Sequence, residues 1–205
     1  AGLQRAFTAF QTAVAPVSGK LHFALKANSA LGVIALLARC GAGADIVSAG
    51  ELARALAAGI AAGDIVFSGV GKSAADIRAA LTAGIGQINA ESAAEVAQIS
   101  AVAAAMGVVA PVALRVNVDV DAGTHAKIST GQRDTKFGIS TDQREAATLY
   151  AELAADPHIK PMGLAVHIGS QICDLAPFER AYSALVDVAS GLRAEGVEVP
   201  RLDLG

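Results

Sequence analysis

The feature that most constrains this chain is a regular alternation of short apolar runs and amphipathic stretches. The runs fall near residues 21–26, 44–47, 64–68, 86–90, 112–117, 161–168 and 201–204, and the segments between them carry apolar residues at helical spacing. Each of the first four steps from run to run takes about 20 residues, enough for a right-handed crossover between parallel strands. A helix precedes the first run, with Leu3, Ala6, Phe7, Phe10 and Val14 on one face and Pro16 and Gly19 at its end. Gly41, Gly59, Gly84 and Gly107 follow Ala-rich runs as helix caps should, Pro111 and Pro161 mark similar joins, and Ser73, Asp142 and Asp174 stand at helix starts. An open doubly wound sheet and a closed (β/α)8 barrel both accept this pattern, and the even steps with no change of direction favour the barrel. About seven strands can be counted where a barrel has eight, and the chain stops on RLDLG at a strand tip. The expectation is an α/β barrel of TIM type, incomplete in this chain, which is read as a fragment.

Composition narrows the function. A hydrophobic fraction of 53% with 17% charged residues belongs to a globular core and argues against disorder. The net charge of −3 and the lack of a basic block give no surface for nucleic acid or anionic membrane, so a small-molecule substrate is expected. The uncharged stretch Ile99 to Leu114 is broken by Gly107 and Pro111 and is no membrane span. No targeting segment is visible at the N-terminus. Cys40 and Cys173 lie far apart without metal-type spacing, as in a reducing cytosol, so the expected location is cytoplasmic, with no bound metal.

Two phosphate-binding patterns are approached and missed. GVGKS at Gly69 to Ser73 ends like a P-loop, but the first glycine of that pattern would fall on Val66. GAGADI at Gly41 to Ile46 precedes a strand instead of joining a strand to a helix. What remains is a set of polar residues at strand ends: Lys26, Asp45 with Ser48, Ser68, Asn89 with Glu91, Arg115 with Asn117, and His167 with Ser170. In a parallel barrel such residues face one side, where active sites assemble. Lys26, within FALKANS at Phe23 to Ser29, stands at the end of an apolar run read as a buried strand. Each residue alone is weakly informative, since most lysines are solvated and most histidines structural. An amine, an imidazole, an arginine and a hydroxyl beside glycine together suit an anionic, carbonyl-bearing cofactor held as a Schiff base.

The motifs then become specific. FALKANS, GAGADIVSAGE, VFSGVGK, ALRVN, DAGTHAKISTG, KFGI, HIGSQI and LDLG occur in an order that resembles the diaminopimelate decarboxylase family, one of the fold type III pyridoxal phosphate (PLP) decarboxylases. The lysine strand is shared with ornithine and arginine decarboxylases and loosely with alanine racemases, so another basic amino-acid decarboxylase, or a PLP-binding barrel without turnover, stays open. The resemblance implies an N-terminal (β/α)8 barrel followed by a C-terminal β domain lying beyond these 205 residues. It implies PLP on Lys26, His167 stacked on the ring, and Ser170 with the Gly205 backbone at the phosphate. Asp45 and Arg115 would lie on the barrel floor beside the ring. The loop from Asp121 to Gly138 would close over an amino-acid substrate, meso-2,6-diaminopimelate, which is decarboxylated to L-lysine. It also implies a homodimer with active sites completed across the interface, and an isolated fragment without turnover. Phe23 stands where the family usually has tyrosine, a departure expected to matter little.

Overall fold

The computed structural model describes residues 2–118, 138–140 and 143–205. These fall into two compact units, divided between Ile88 and Asn89. The loop read as a substrate cover, with Asp121, His125, Lys127 and Lys136, lies outside the described residues except for its last residue, Gly138, as does the helix start at Asp142.

The first unit opens with helix α1 (Gly2–Val14), none of whose residues is buried. Strands β1 (His22–Ala24), β2 (Gly43–Ile46), β3 (Ile65–Phe67) and the start of β4 (Gln87–Ala90) follow in sequence and space, every pair parallel. The register aligns Ala24 with Asp45 and Asp45 with Val66. Between the strands run α2 (Leu31–Arg39), α3 (Ala49–Ala57) and α4 (Ala74–Ala83). Their apolar faces bury Ile34, Leu37, Leu52, Ala55, Ile77 and Ala80 against the strand residues Ile46, Ile65 and Phe67 of the same core. One expectation fails here. The strand before Lys26 is not buried: His22 is exposed and Phe23 and Ala24 are half-buried, since among the described residues β1 ends the strand order with β2 as its neighbour.

The second unit takes β4 from Asn89 and continues with α5 (Ala93–Met106), β5 (Ala110–Asn117), β6 (Ile139–Ser140), α6 (Gln143–Ala155), β7 (Ile159–Ala165), α7 (Ala176–Ala194) and β8 (Arg201–Asp203). β5 and β7 pair in parallel, β7 and β8 likewise, and the two-residue β6, which the apolar pattern did not announce, lies beside the end of β5. Helix α7 buries Ala181, Leu185, Val188 and Leu192 at alternating four- and three-residue spacing, the stripe a core-facing helix needs. Tyr150 on α6 is fully buried, and its hydroxyl donates to the Glu198 carbonyl at 3.0 Å. Burial pushes that hydroxyl up to about 12.

The punctuation follows the sequence closely. Gly84 and Gly107 close α4 and α5, while Gly41 and Gly59 stand one residue past the closing positions of α2 and α3. Three helices begin on a serine with an acid three residues on: Ser48 with Glu51, Ser73 with Asp76, and Ser92 with Glu95. In each, the serine hydroxyl accepts from the acid's backbone N–H, and the acid's carboxylate returns to a backbone N–H at the helix start. Asp174 serves α7 in a related way, accepting from the Ala176 N–H at 3.1 Å.

Two tests follow. Gly163 sits at φ 131° opposite a register shift in β5 between Val112 and Ala113, and a Cβ built there would overlap the Arg201 carbonyl oxygen. Gly163→Ala is expected to cost at least about 2 kcal/mol in chemical denaturation, since backbone strain and a clash against main chain act together. The Asp76 carboxyl is held below its ordinary range, first by the Ser73 hydroxyl, then by the Ser73 N–H against a small upward push from burial, and least by the Ala49 N–H. Its folded value is depressed, so its contribution is present above the unfolded value and lost as pH falls through the folded one. Denaturation at a series of acidic pH values should show that loss, and Asp76→Asn should remove its part of the slope.

Candidate functional site

In the first unit, polar side chains gather at and just beyond the C-terminal ends of β1, β2 and β3. Lys26 does not stand on β1 itself but two residues past Ala24, the last laddered position, in a single 3-10 turn, Leu25–Ala27. It is exposed, while its neighbour Leu25 is fully buried and anchors the turn. Beyond it, the Asn28 carboxamide oxygen accepts from Ala30 N–H at 3.0 Å, and Arg54 of α3 donates to the Ser29 carbonyl at 3.2 Å. The amine therefore stands on a short turn fixed from both sides. Asp45 is half-buried in β2 at the level of Ala24, Ser48 caps α3, and the Ser68 N–H donates to Ile46 at 2.8 Å. Lys72 is 6% exposed, donates to the Gly69 carbonyl at 2.6 Å and has its ammonium 5.6 Å from the centre of the Phe67 ring. The GVGKS stretch is thus a loop tied by its own lysine, with cation–π support from the strand before it.

In the second unit the polar residues are joined. Arg115, near the end of β5 and 7% exposed, donates from one guanidinium nitrogen to Glu91 Oε1 at 3.0 Å and from the other to the His167 carbonyl at 3.2 Å. Glu91, the first residue past β4, is itself buried, and its Oε2 has no hydrogen-bond partner among the described residues. Asn89, 4% exposed, donates from Nδ2 to Asp203 Oδ2 at 2.8 Å, and the other oxygen of Asp203 accepts from the Gly205 N–H at 3.1 Å. Val166 N–H donates to the Asp203 carbonyl at 2.9 Å, and the Tyr182 hydroxyl donates to the Leu204 carbonyl at 3.1 Å. The Tyr182 hydroxyl is pushed up by burial and then by the Asp203 charge.

Gly205 lies against His167. At φ 86°, a Cβ on it would come within 2.5 Å of the Val166 oxygen and 2.9 Å of His167 Nδ1, so the main chain passes beside the imidazole only because no side chain is there. Ser170 is exposed in the turn after His167, where Gln171 holds φ 61°, one of two non-glycine residues at positive φ among those described. Asn117, buried at the end of β5, aligns with Ser140.

The structure therefore joins Arg115 to Glu91 and the His167 carbonyl, and Asn89 and Gly205 to Asp203, and places Lys26, Asp45, Ser48 and Ser68 at or just past the ends of adjacent strands in the other unit. Asp203 was missed as a site residue. The available signal was an acid in the RLDLG strand end, directly before the turn glycine. Among the described residues no group of three or more His, Cys, Asp or Glu could hold a metal ion, and no helix is long and apolar enough to cross a membrane.

Comparison with known proteins gives this arrangement its family. The family model for the pyridoxal-binding domain of pyridoxal-dependent decarboxylases matches residues 1–205. The chain is 50% identical over 183 residues to a diaminopimelate decarboxylase of Zymomonas mobilis, covering 89% of this chain and 43% of that protein. It is 47% identical over 205 residues to the diaminopimelate decarboxylase of Pseudomonas aeruginosa, covering all of this chain and 49% of that protein. The crystal structure of diaminopimelate decarboxylase from Helicobacter pylori complexed with L-lysine matches with a TM-score of 0.88 at 41% identity, over 91% of this chain and 47% of that one. The chain spans about half the length of the curated relatives it matches. The α/β class of barrel type expected from the strand rhythm is the fold these enzymes share with it. Strand rhythm, lysine turn and family match together assign the chain to the pyridoxal-dependent decarboxylases, as their pyridoxal-binding domain.

Proposed function

We propose that the protein carrying this domain decarboxylates meso-2,6-diaminopimelate to L-lysine and CO2, the lysine-forming step of amino-acid biosynthesis, with PLP as cofactor. The observation that carries the reading is an accessible lysine on a fixed turn, in a chain matched throughout by a pyridoxal-binding domain. The relatives named as diaminopimelate decarboxylases and the L-lysine in a matching structure support the substrate.

The residues present fit the cofactor. Lys26 supplies an exposed primary amine that can condense with an aldehyde, His167 an imidazole face beside a side-chain-free turn, and Ser170 an exposed hydroxyl. When bound, PLP supplies the electron sink that takes the pair left behind as CO2 departs. In this reading Lys26 would hold the cofactor through its Nζ, and the same amine would be placed to move a proton once it is released. His167 would face the ring, and Ser170 and the backbone at Gly205 would hold the phosphate. Asp45 would take a place beside the ring, and Arg115 would act in support. The buried contacts of Arg115 with Glu91 and the His167 carbonyl favour support over direct ligation.

The same reading makes these residues the cofactor-binding part of a homodimeric, cytoplasmic enzyme whose further residues form a C-terminal β domain. Turnover by the 205-residue chain alone is not expected.

Borohydride reduction of the full-length protein with PLP, followed by peptide mapping, should place the label on Lys26. Lys26→Ala should abolish the label and lower CO2 release by more than roughly 10³-fold, the scale of losing a positioned proton-transfer group. A label on another lysine would sink the assignment, and competition among basic amino acids would test the substrate.

A further inference from the structure

We infer that Asn89 and Asp203 form a positioning pair that sets the turn at Gly205, and through it the strength with which the site holds the cofactor's phosphate. The inference rests on the PLP reading above and deepens it. In that reading the Gly205 turn is an anion cradle, yet its own N–H is already given to Asp203 Oδ1 at 3.1 Å. Gly205 then serves by shape, and the acid two residues before it holds that shape.

A carboxylate next to a phosphate is unfavourable unless its charge is tied down. Asp203 meets that requirement. Its Oδ2 receives the Asn89 amide at 2.8 Å and its Oδ1 the Gly205 N–H, while its own carbonyl accepts from Val166 N–H at 2.9 Å. Asn89 is 4% exposed and comes from the end of β4, 114 positions away in sequence, so it fixes the carboxylate from a different strand. The Tyr182 hydroxyl holds the intervening Leu204 carbonyl at 3.1 Å. Asp203 is therefore tied to Asn89 and Val166, Leu204 to Tyr182, and Gly205 to the Asp203 carboxylate that Asn89 holds. A Cβ on the glycine would lie 2.9 Å from His167 Nδ1, so the room beside the imidazole depends on how this segment is held. Neither Asn89 nor Asp203 needs to touch the cofactor for this role.

The test uses the full-length protein and two ligands that differ only in the phosphate, PLP and pyridoxal, with affinity read from their absorbance on binding. Asp203→Ala is expected to weaken PLP about tenfold, the scale of one lost charge-assisted hydrogen bond, and to leave pyridoxal within about threefold. The sign is informative, because simple charge repulsion predicts tighter PLP binding when the carboxylate is removed. The exchange Asn89→Asp with Asp203→Asn keeps net charge and supplies both bonds with donor and acceptor reversed across the pair. It should return the PLP-to-pyridoxal ratio to the natural value. Unchanged or tighter PLP binding in Asp203→Ala overturns the inference while the natural protein still binds PLP. If Asp203→Ala is recovered unfolded, the exchanged pair decides: a natural ratio supports the inference and a lowered one overturns it. A natural protein that binds neither ligand overturns the PLP reading and this inference with it.

Discussion

Parallel pairing is the constraint on which the rest depends. A parallel strand cannot return by a tight turn, so each strand must be followed by a crossover, and here every crossover with described residues carries a helix or a helical turn. The strands of each unit consequently finish at the same edge of their sheet. Lys26 comes two residues after Ala24, Ser68 directly after Phe67, Glu91 directly after Ala90, His167 two after Ala165 and Gly205 two after Asp203. Polar chemistry collects where the ladder lets go of the backbone, and the buried apolar ladders behind it supply the floor.

That floor contains charge as well as hydrocarbon. Arg115 and Glu91 are buried at 3.0 Å, and removing two charges from water costs several kcal/mol per ion before their attraction and hydrogen bonds offset it. The second guanidinium nitrogen is spent on the His167 carbonyl, which gives the pair a use beyond stability. It fixes the main chain that carries the imidazole. Lys72 makes a comparable tie in the other unit, where its ammonium closes the loop after β3 over Phe67.

Much of this was legible because it is local. Strand positions followed from apolar runs, helix ends from glycine, and the start of α4 from Ser73, all of which depend on a few adjacent residues. The recurrent serine–acid starts at Ser48 and Ser92 were equally readable. Three things were not. The exposure of β1 depends on the strand having one neighbour among the described residues, which no run of His-Phe-Ala reveals. β6 is two residues long and has no period to detect. The bond between Asn89 and Asp203 joins residues 114 positions apart, and pairing between strands, not sequence proximity, creates it. The lysine was found by its place after an apolar run; its turn conformation was not, because a 3-10 turn of three residues carries no periodic signal.

The location of Lys26 off the ladder separates two kinds of selection. A residue within β1 would serve sheet and chemistry together, so any replacement would be judged on both. On its exposed turn, with Leu25 supplying the buried anchor, position 26 makes no demand on the core. Under the proposed function, a replacement at position 26 would therefore fall on the chemistry of the amine and leave the apolar core behind it as it is.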